Sequence, residues 1–177
     1  MRWLLLLPFV LLVTSCKTEA MTQPDQTINS EFDFELEKYL GTWYEIARFD
    51  HSFERGLEGT TANYSLRSDG KIRVLNQGYK GSLNGKLKKS EGKAKLASPE
   101  TPRNLKVSFF WNFYAPYNIL ELDSNYQYVL IGSNSDKYLW ILSRTPQLDK
   151  AILDQLLEKA KARGYDISKL IMVQQPK

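Results

Sequence analysis

From residue 42 onward, short runs of alternating apolar and polar residues are separated by turn residues, the pattern of antiparallel strands with one face buried. Eight runs are predicted to be strands: 42–49, 60–66, 71–79, 86–96, 105–110, 117–122, 126–132 and 138–143. Ser68-Asp69-Gly70 and Asn134-Ser135-Asp136 mark tight turns between them. Gly92, inside the fourth run, predicts a bend or bulge there. The aromatic segment Phe110-Trp111-Asn112-Phe113-Tyr114 separates the fifth run from the sixth.

After the eighth run, Thr145-Pro146 stops the strand. Leu148, Ile152, Leu156 or Leu157 and Ala160 then recur at helical spacing as far as Arg163, with Gly164 placed as the stop. The apolar stripe of this helix needs a partner. Leu139 and Ile141, on the opposite face of their strand from Trp140, are predicted to supply it from outside the sheet. A short final strand spans 170–174. Eight meandering strands lose their edges by closing, and an eight-stranded up-and-down barrel is the smallest that also holds one small ligand. On the strand pattern alone, a sandwich is the alternative.

The first 16 residues follow a different pattern. Met1-Arg2 is followed by an apolar run over 3–13 and then by Thr14-Ser15-Cys16, the layout of an export signal and too short to span a membrane as a helix. Val13-Thr14-Ser15-Cys16 resembles the bacterial lipobox, which implies that the cysteine is diacylated on sulfur, becomes the new N-terminus and is acylated again. Two or three acyl chains, at roughly 0.8 kcal/mol per buried CH₂, hold a protein on a membrane where one chain would exchange. Lys17 in place of an aspartate implies sorting to the outer membrane, on its periplasmic face. Residues 17 to 31 are polar and aperiodic, a tether. The chain therefore divides into a lipoprotein signal (1–15), a lipidated N-terminus and tether (16–31) and a folded domain (32–177).

Composition narrows the chemistry. With 42% hydrophobic and 25% charged residues the chain is folded rather than disordered. One cysteine excludes an internal disulfide framework and a multi-cysteine zinc site, and one histidine leaves little for metal chemistry, so no metal and no cofactor are expected. A net charge of +4 argues for nothing specific about nucleic acid, and no such partner is expected. Lys86, Lys88, Lys89, Lys93 and Lys95 read as a solvated strand face rather than an anionic-lipid patch.

Gly41-Thr42-Trp43-Tyr44 before the first strand and Ser143-Arg144-Thr145-Pro146 after the eighth resemble the G-x-W motif and trailing arginine of the lipocalins. The resemblance implies that Trp43 plugs the closed end of an eight-stranded barrel and that Arg144 lies across its ring, with Gly41 heading the motif. The family's T-D-Y motif is reduced here to Leu122-Asp123 followed by Tyr126. A closer resemblance is to the bacterial, outer-membrane lipoprotein lipocalins and their apolipoprotein D-like relatives. It is carried by residues 43–56 (WYEIARFDHSFERG), 90–94 (SEGKA), 105–110 (LKVSFF), 138–146 (YLWILSRTP) and 173–176 (VQQP).

That resemblance implies binding rather than catalysis, with lysophospholipids or fatty acids as the ligands. An inward Trp43 carries Glu45 and Ala47 inward by period 2. The same alternation points Ala62, Tyr64 and Leu66, then Val74 and Asn76, then Leu105, Val107 and Phe109 into the barrel. Keeping Glu121 outside sends Asn118, Leu120 and Leu122 in, and Tyr128, Leu130, Tyr138, Trp140 and Leu142 follow. Glu45 is the odd member, because an inward carboxylate needs a partner or a raised pKa. His51 is expected to have a structural or lid role in the loop across the mouth, since no nucleophile or further ligands accompany it. An enzyme acting on a lipophile and a structural lipoprotein with a filled barrel are the alternatives. The aromatic segment 110–114 is a candidate dimer contact or part of the mouth.

Overall fold

A computed structural model describes residues 34–177. The signal, Cys16 and the tether lie outside the described residues. The described residues form one compact unit with its own two cores, the hallmark of a domain that folds alone.

A short helix α1 (Leu36–Tyr39) leads into nine strands: β1 (Gly41–Phe49), β2 (Leu57–Leu66), β3 (Ile72–Lys80), β4 (Leu87–Leu96), β5 (Asn104–Phe110), β6 (Phe113–Leu122), β7 (Tyr128–Gly132), β8 (Leu139–Ser143) and, after helix α2 (Lys150–Ala162), β9 (Leu170–Met172). The first eight pair antiparallel in sequence order, and β1 closes the ring by pairing with both β8 and β2. The barrel is therefore all-β, eight-stranded and closed, as the edge argument required.

β1 pairs with β2 only from Gly41 to Tyr44, because a bulge between Glu45 and Ala47 and another between Glu58 and Thr61 separate the two strands beyond that point. The C-terminal segment fills the gap. β9 pairs with Ala47–Phe49, the Val173 amide donates to Ile46 carbonyl, and buried Gln175 donates from Nε2 to the carbonyls of Glu45 and Thr60. The strand assigned to 170–174 is thus three residues long, and the tail beyond it bonds through single contacts.

Two apolar cores lie on the two faces of the sheet. Inside, Tyr39, Trp43, Ile72, Leu105, Tyr126 and Val129 pack the closed end. Outside, Ile46, Ala47, Phe49, Leu130, Leu139 and Ile141 meet Leu156 and Ala160 of α2, so Leu139 and Ile141 take the position expected of them. Asp149 caps α2 by accepting from the amides of Ala151 and Ile152, and Gly164 ends it at φ +87°. Lys159 and Arg163 on the last turn of α2 both pair with Glu121 of β6.

Two local expectations are corrected. Gly92 makes no bulge toward β3, where Val74 pairs with it in unbroken register. A Cβ at Gly92 would stand 2.6 Å from the Ser108 carbonyl oxygen and 2.8 Å from the Phe109 ring, so glycine is there for close approach of β5. Phe113 and Tyr114 belong to β6 rather than to a connecting segment, and the turn before them is made by Trp111 at φ +48°.

Candidate functional site

At the closed end the Arg144 guanidinium lies 3.9 Å above the centre of the Trp43 ring. It donates to the carbonyls of Thr42, Lys38 and Tyr126, which fixes it over the indole, and Trp43 Nε1 donates to the Tyr39 carbonyl. A cation over an indole is worth about 0.5 to 2 kcal/mol. Above this plug the hydroxyl of Tyr117 meets those of Tyr39 at 2.6 Å and Tyr64 at 2.9 Å, forming a polar floor whose phenols burial holds in the protonated state.

Over the floor opens a cavity of about 940 Å³, near the upper end of the roughly 300 to 1,000 Å³ typical of small-molecule sites. Its depth is lined by Ala62, Tyr64, Val74, Val107, Tyr117, Ile131, Trp140 and Leu142. Phe53, Phe109, Phe110, Phe113 and Tyr138 line the rim together with Arg55, Lys80, Lys88 and Lys89. Lys88 and Lys89 therefore border the cavity, which corrects the expectation of a purely solvated lysine face. Lys93 and Lys95 lie instead over the Tyr114 ring, at 5.8 and 4.8 Å from its centre. The segment 110–114 sits at the β5–β6 turn by the mouth, with Phe110, Trp111 and Phe113 each more than 70% exposed.

One wall of the cavity carries a buried polar cluster. Arg48 Nη1 donates to Glu45 Oε1 at 2.6 Å, and Nη2 donates to the carbonyls of Glu54 and Leu57. Glu54 accepts from Trp140 Nε1 at 3.2 Å and from Asn76 Nδ2 at 3.4 Å. Glu45, Arg48, His51 and Glu54 are all less than 8% exposed. Burial, and after it the neighbouring Glu54 charge, holds the Glu45 carboxyl well above the usual carboxylate range despite Arg48. Burial likewise raises Glu54. His51 is pushed down to about 4, first by burial and then by Arg48, and is neutral at pH 7. Its Nε2 lies 3.2 Å from Glu54 Oε2 without the geometry of a hydrogen bond, and its ring stacks on Phe53 at 4.0 Å. His51 thus packs as an aromatic residue that seats the 50–56 loop in the barrel.

The residues expected to face inward separate into three groups. Glu45, Ala62, Tyr64, Val74, Asn76, Val107, Phe109, Tyr138, Trp140 and Leu142 line the cavity. Leu105 and Leu122 point into the closed-end core beneath it. Ala47, Leu66, Asn118, Leu120, Tyr128 and Leu130 do not face the cavity. Ala47 belongs to the helix-side core because the β1 bulge puts Ile46 and Ala47 on the same outer face. Leu66 is 51% exposed at the end of β2. Asn118, which alternates with the inward Tyr117, donates to Asn134 and is not among the lining residues. On β6, Glu121 is outside as expected, but a bulge between Ile119 and Glu121 places Leu120 outside beside it. The parity above the bulge is therefore reversed, and Tyr117 and Ile119 point in. Tyr128 and Leu130 pack toward α2, while Val129 and Ile131 face the interior. Both faces of β7 are apolar, so alternation could not decide between them.

Arg48, Glu54, Thr60 and Tyr117 were missed. One signal for Arg48 was available: Glu45 and Arg48 are three apart, so in a regular strand they point to opposite faces, and an inward carboxylate in need of a cation implies a bulge between them. Nothing local marks Glu54, which reaches the wall from a loop. Among the described residues no cluster of histidine, cysteine or acidic side chains could hold a metal ion.

Residues 34–175 match the family described as a lipocalin-like domain. Outer membrane lipoprotein Blc of Vibrio cholerae is 50% identical over 151 residues, 85% of this chain and 88% of its own. The protein of the same name from Escherichia coli K12 is 47% identical over 165 residues, 93% of this chain and 91% of its own. Apolipoprotein D of Macaca fascicularis is 35% identical over 150 residues, covering 81% and 78%. Among solved structures, apocrustacyanin C1 superposes with a TM-score of 0.65 at 20% identity over 83% of each chain, a likeness of fold. By sequence and by architecture, the chain belongs to the lipocalin family.

Proposed function

We propose that this outer-membrane, lipid-anchored protein binds and carries single-chain lipids, lysophospholipids or fatty acids, on the periplasmic face of the membrane. The observation that carries this reading is the cavity itself: about 940 Å³, apolar in its depth and rimmed by Lys80, Lys88 and Lys89. An acyl chain gains roughly 0.8 kcal/mol per CH₂ on leaving water for such a lining. A phosphate or carboxylate head at the rim meets lysine ammonium groups. A filled barrel with a purely structural role does not leave such a cavity. Catalysis is not part of the reading, because the one hydroxyl of the polar wall, Thr60 Oγ1, is not hydrogen-bonded to a base, and the histidine is packed between rings.

Trp140 borders the cavity and reports on its contents. Titrating residues 32–177 with a lysophospholipid is expected to change Trp140 fluorescence, and native mass spectrometry is expected to show one lipid retained. An unchanged signal together with an empty protein refutes the reading.

A further inference from the structure

We propose that the polar wall of the cavity is a subsite for the primary ammonium group of a cationic amphiphile, with Glu54 as counter-ion and Asn76 Oδ1 and Thr60 Oγ1 as further acceptors. This goes beyond an anionic lipid held at the lysine rim, but it rests on the cup being a ligand cavity.

The first support is the charge inventory of the wall. Two buried carboxyls share one guanidinium, whose hydrogen bonds do not reach the Glu54 carboxyl: Nη1 donates to Glu45, Nη2 to two backbone carbonyls, and Nε has no partner. Glu54 receives only neutral donors, at 3.2 and 3.4 Å, the long end of hydrogen-bonding distance. His51 gives it no charge, being neutral. Glu58 and Tyr64 on β2 also face the pair and add no positive charge. A buried carboxylate without a cation is costly, and burial raises both carboxyls, so the pair holds a proton between Glu45 and Glu54.

The second support is independent of the acids. Thr60, 2% exposed, lines the cavity with a hydroxyl that has no hydrogen-bond partner. Asn76 turns its Nδ2 to Glu54, which leaves Oδ1 unpartnered in the same lining. The wall thus offers three acceptors, one of them a carboxyl that only a proton neutralises, beside an apolar depth. A primary ammonium on an alkyl chain has three N–H donors, one positive charge and an apolar tail, and matches each of these features. It takes the place of the shared proton. The carboxylate of a fatty acid has no donor to offer these acceptors, so it stays at the rim.

The test compares dodecylammonium with dodecanol, which has the same chain and no charge, by calorimetric titration of residues 32–177 at pH 7 in buffers of different ionisation enthalpy. The amine is expected to bind about tenfold tighter, the ratio by which hydrogen bonds to a charged group exceed neutral ones. Its apparent enthalpy is expected to vary with buffer because binding releases the shared proton. Glu54→Gln is expected to bring the amine-to-alcohol ratio to about one. Thr60→Val is expected to lower it while keeping both carboxyls, which provides a second reading if Glu54→Gln does not fold. Alcohol binding as tight as amine binding overturns the subsite, as does an enthalpy independent of buffer. Lysophospholipid bound without preference for the amine overturns the subsite and leaves the carrier reading standing, whereas binding of no amphiphile overturns both.

Discussion

Replacing Arg48 by methionine, which keeps the length of the buried stem and removes the charge, is expected to destabilise the domain in a pH-dependent way. Arg48 is 2% exposed and bonds Glu45 and the carbonyls of Glu54 and Leu57. The native trio needs one proton between two carboxyls, and the variant needs two. Taking up that second proton at pH 7, well above the usual carboxylate range, costs on the order of 3 kcal/mol. Two orphaned carbonyls add about 1 kcal/mol each regardless of pH. The sum, about 5 kcal/mol at pH 7, is a large fraction of a typical domain's stability. The sign follows from the direction of the shift. A carboxyl protonated in the fold and ionised in the unfolded chain contributes its stability below the unfolded value, and that contribution is lost as pH rises toward the folded one. The deficit of the variant is therefore expected to shrink to about 3 kcal/mol at pH 5. Urea unfolding of residues 32–177 and of the variant across pH 5 to 8 measures this difference. Adding Glu45→Gln to the variant is expected to remove the slope and recover part of the loss. A deficit that stays constant with pH, or a slope that persists in the double variant, refutes the shared-proton account.

Other outcomes follow from the same structure. Arg144→Leu removes a cation over Trp43 and three hydrogen bonds to carbonyls, so thermal unfolding is expected to show a loss of about 2 to 4 kcal/mol. Gly132→Ala would place a Cβ 2.3 Å from the Tyr165 hydroxyl and 2.8 Å from Leu120 Cδ1, at a cost of about 1 to 3 kcal/mol in denaturant titration. Tyr165→Phe in the same chain is expected to return part of that cost. Reversing the rim charge with Lys88→Glu and Lys89→Glu is expected to weaken lysophosphatidic acid binding roughly fivefold at low salt and less at high salt, read from Trp140 fluorescence. Cys16→Ala is expected to move the full-length protein from the membrane to the soluble fraction on cell fractionation, and unchanged membrane association would contradict the lipobox reading.

The legible parts of the site are those on regular strands with one polar face. Ala62, Tyr64, Val74, Asn76 and Val107 line the cavity, as alternation alone places them, because β2, β3 and β5 run without interruption where these residues lie. The errors cluster where one of two conditions fails. At Ala47 and Leu120 a bulge inserts a residue and reverses the parity, and a bulge of one residue leaves no compositional mark. At Tyr128 and Leu130 the strand is covered on both faces, by the interior and by α2, so apolar residues alternate with apolar residues.

By itself, the sequence determined the number and order of the strands, the helix and its outward face, and the family. These depend on local periodicity, turn residues and motifs, each readable within a window of about 10 residues. The tertiary structure decided which side chains meet inside the cup. Glu45, Arg48, Glu54, Thr60, Asn76 and Trp140 come from four strands and a loop, and their contacts depend on two bulges and on how the 50–56 loop folds into the barrel. The polar contacts of that wall join residues far apart in the chain, Glu54 and Trp140 being 86 positions apart, so its charge balance exists only once the barrel has closed.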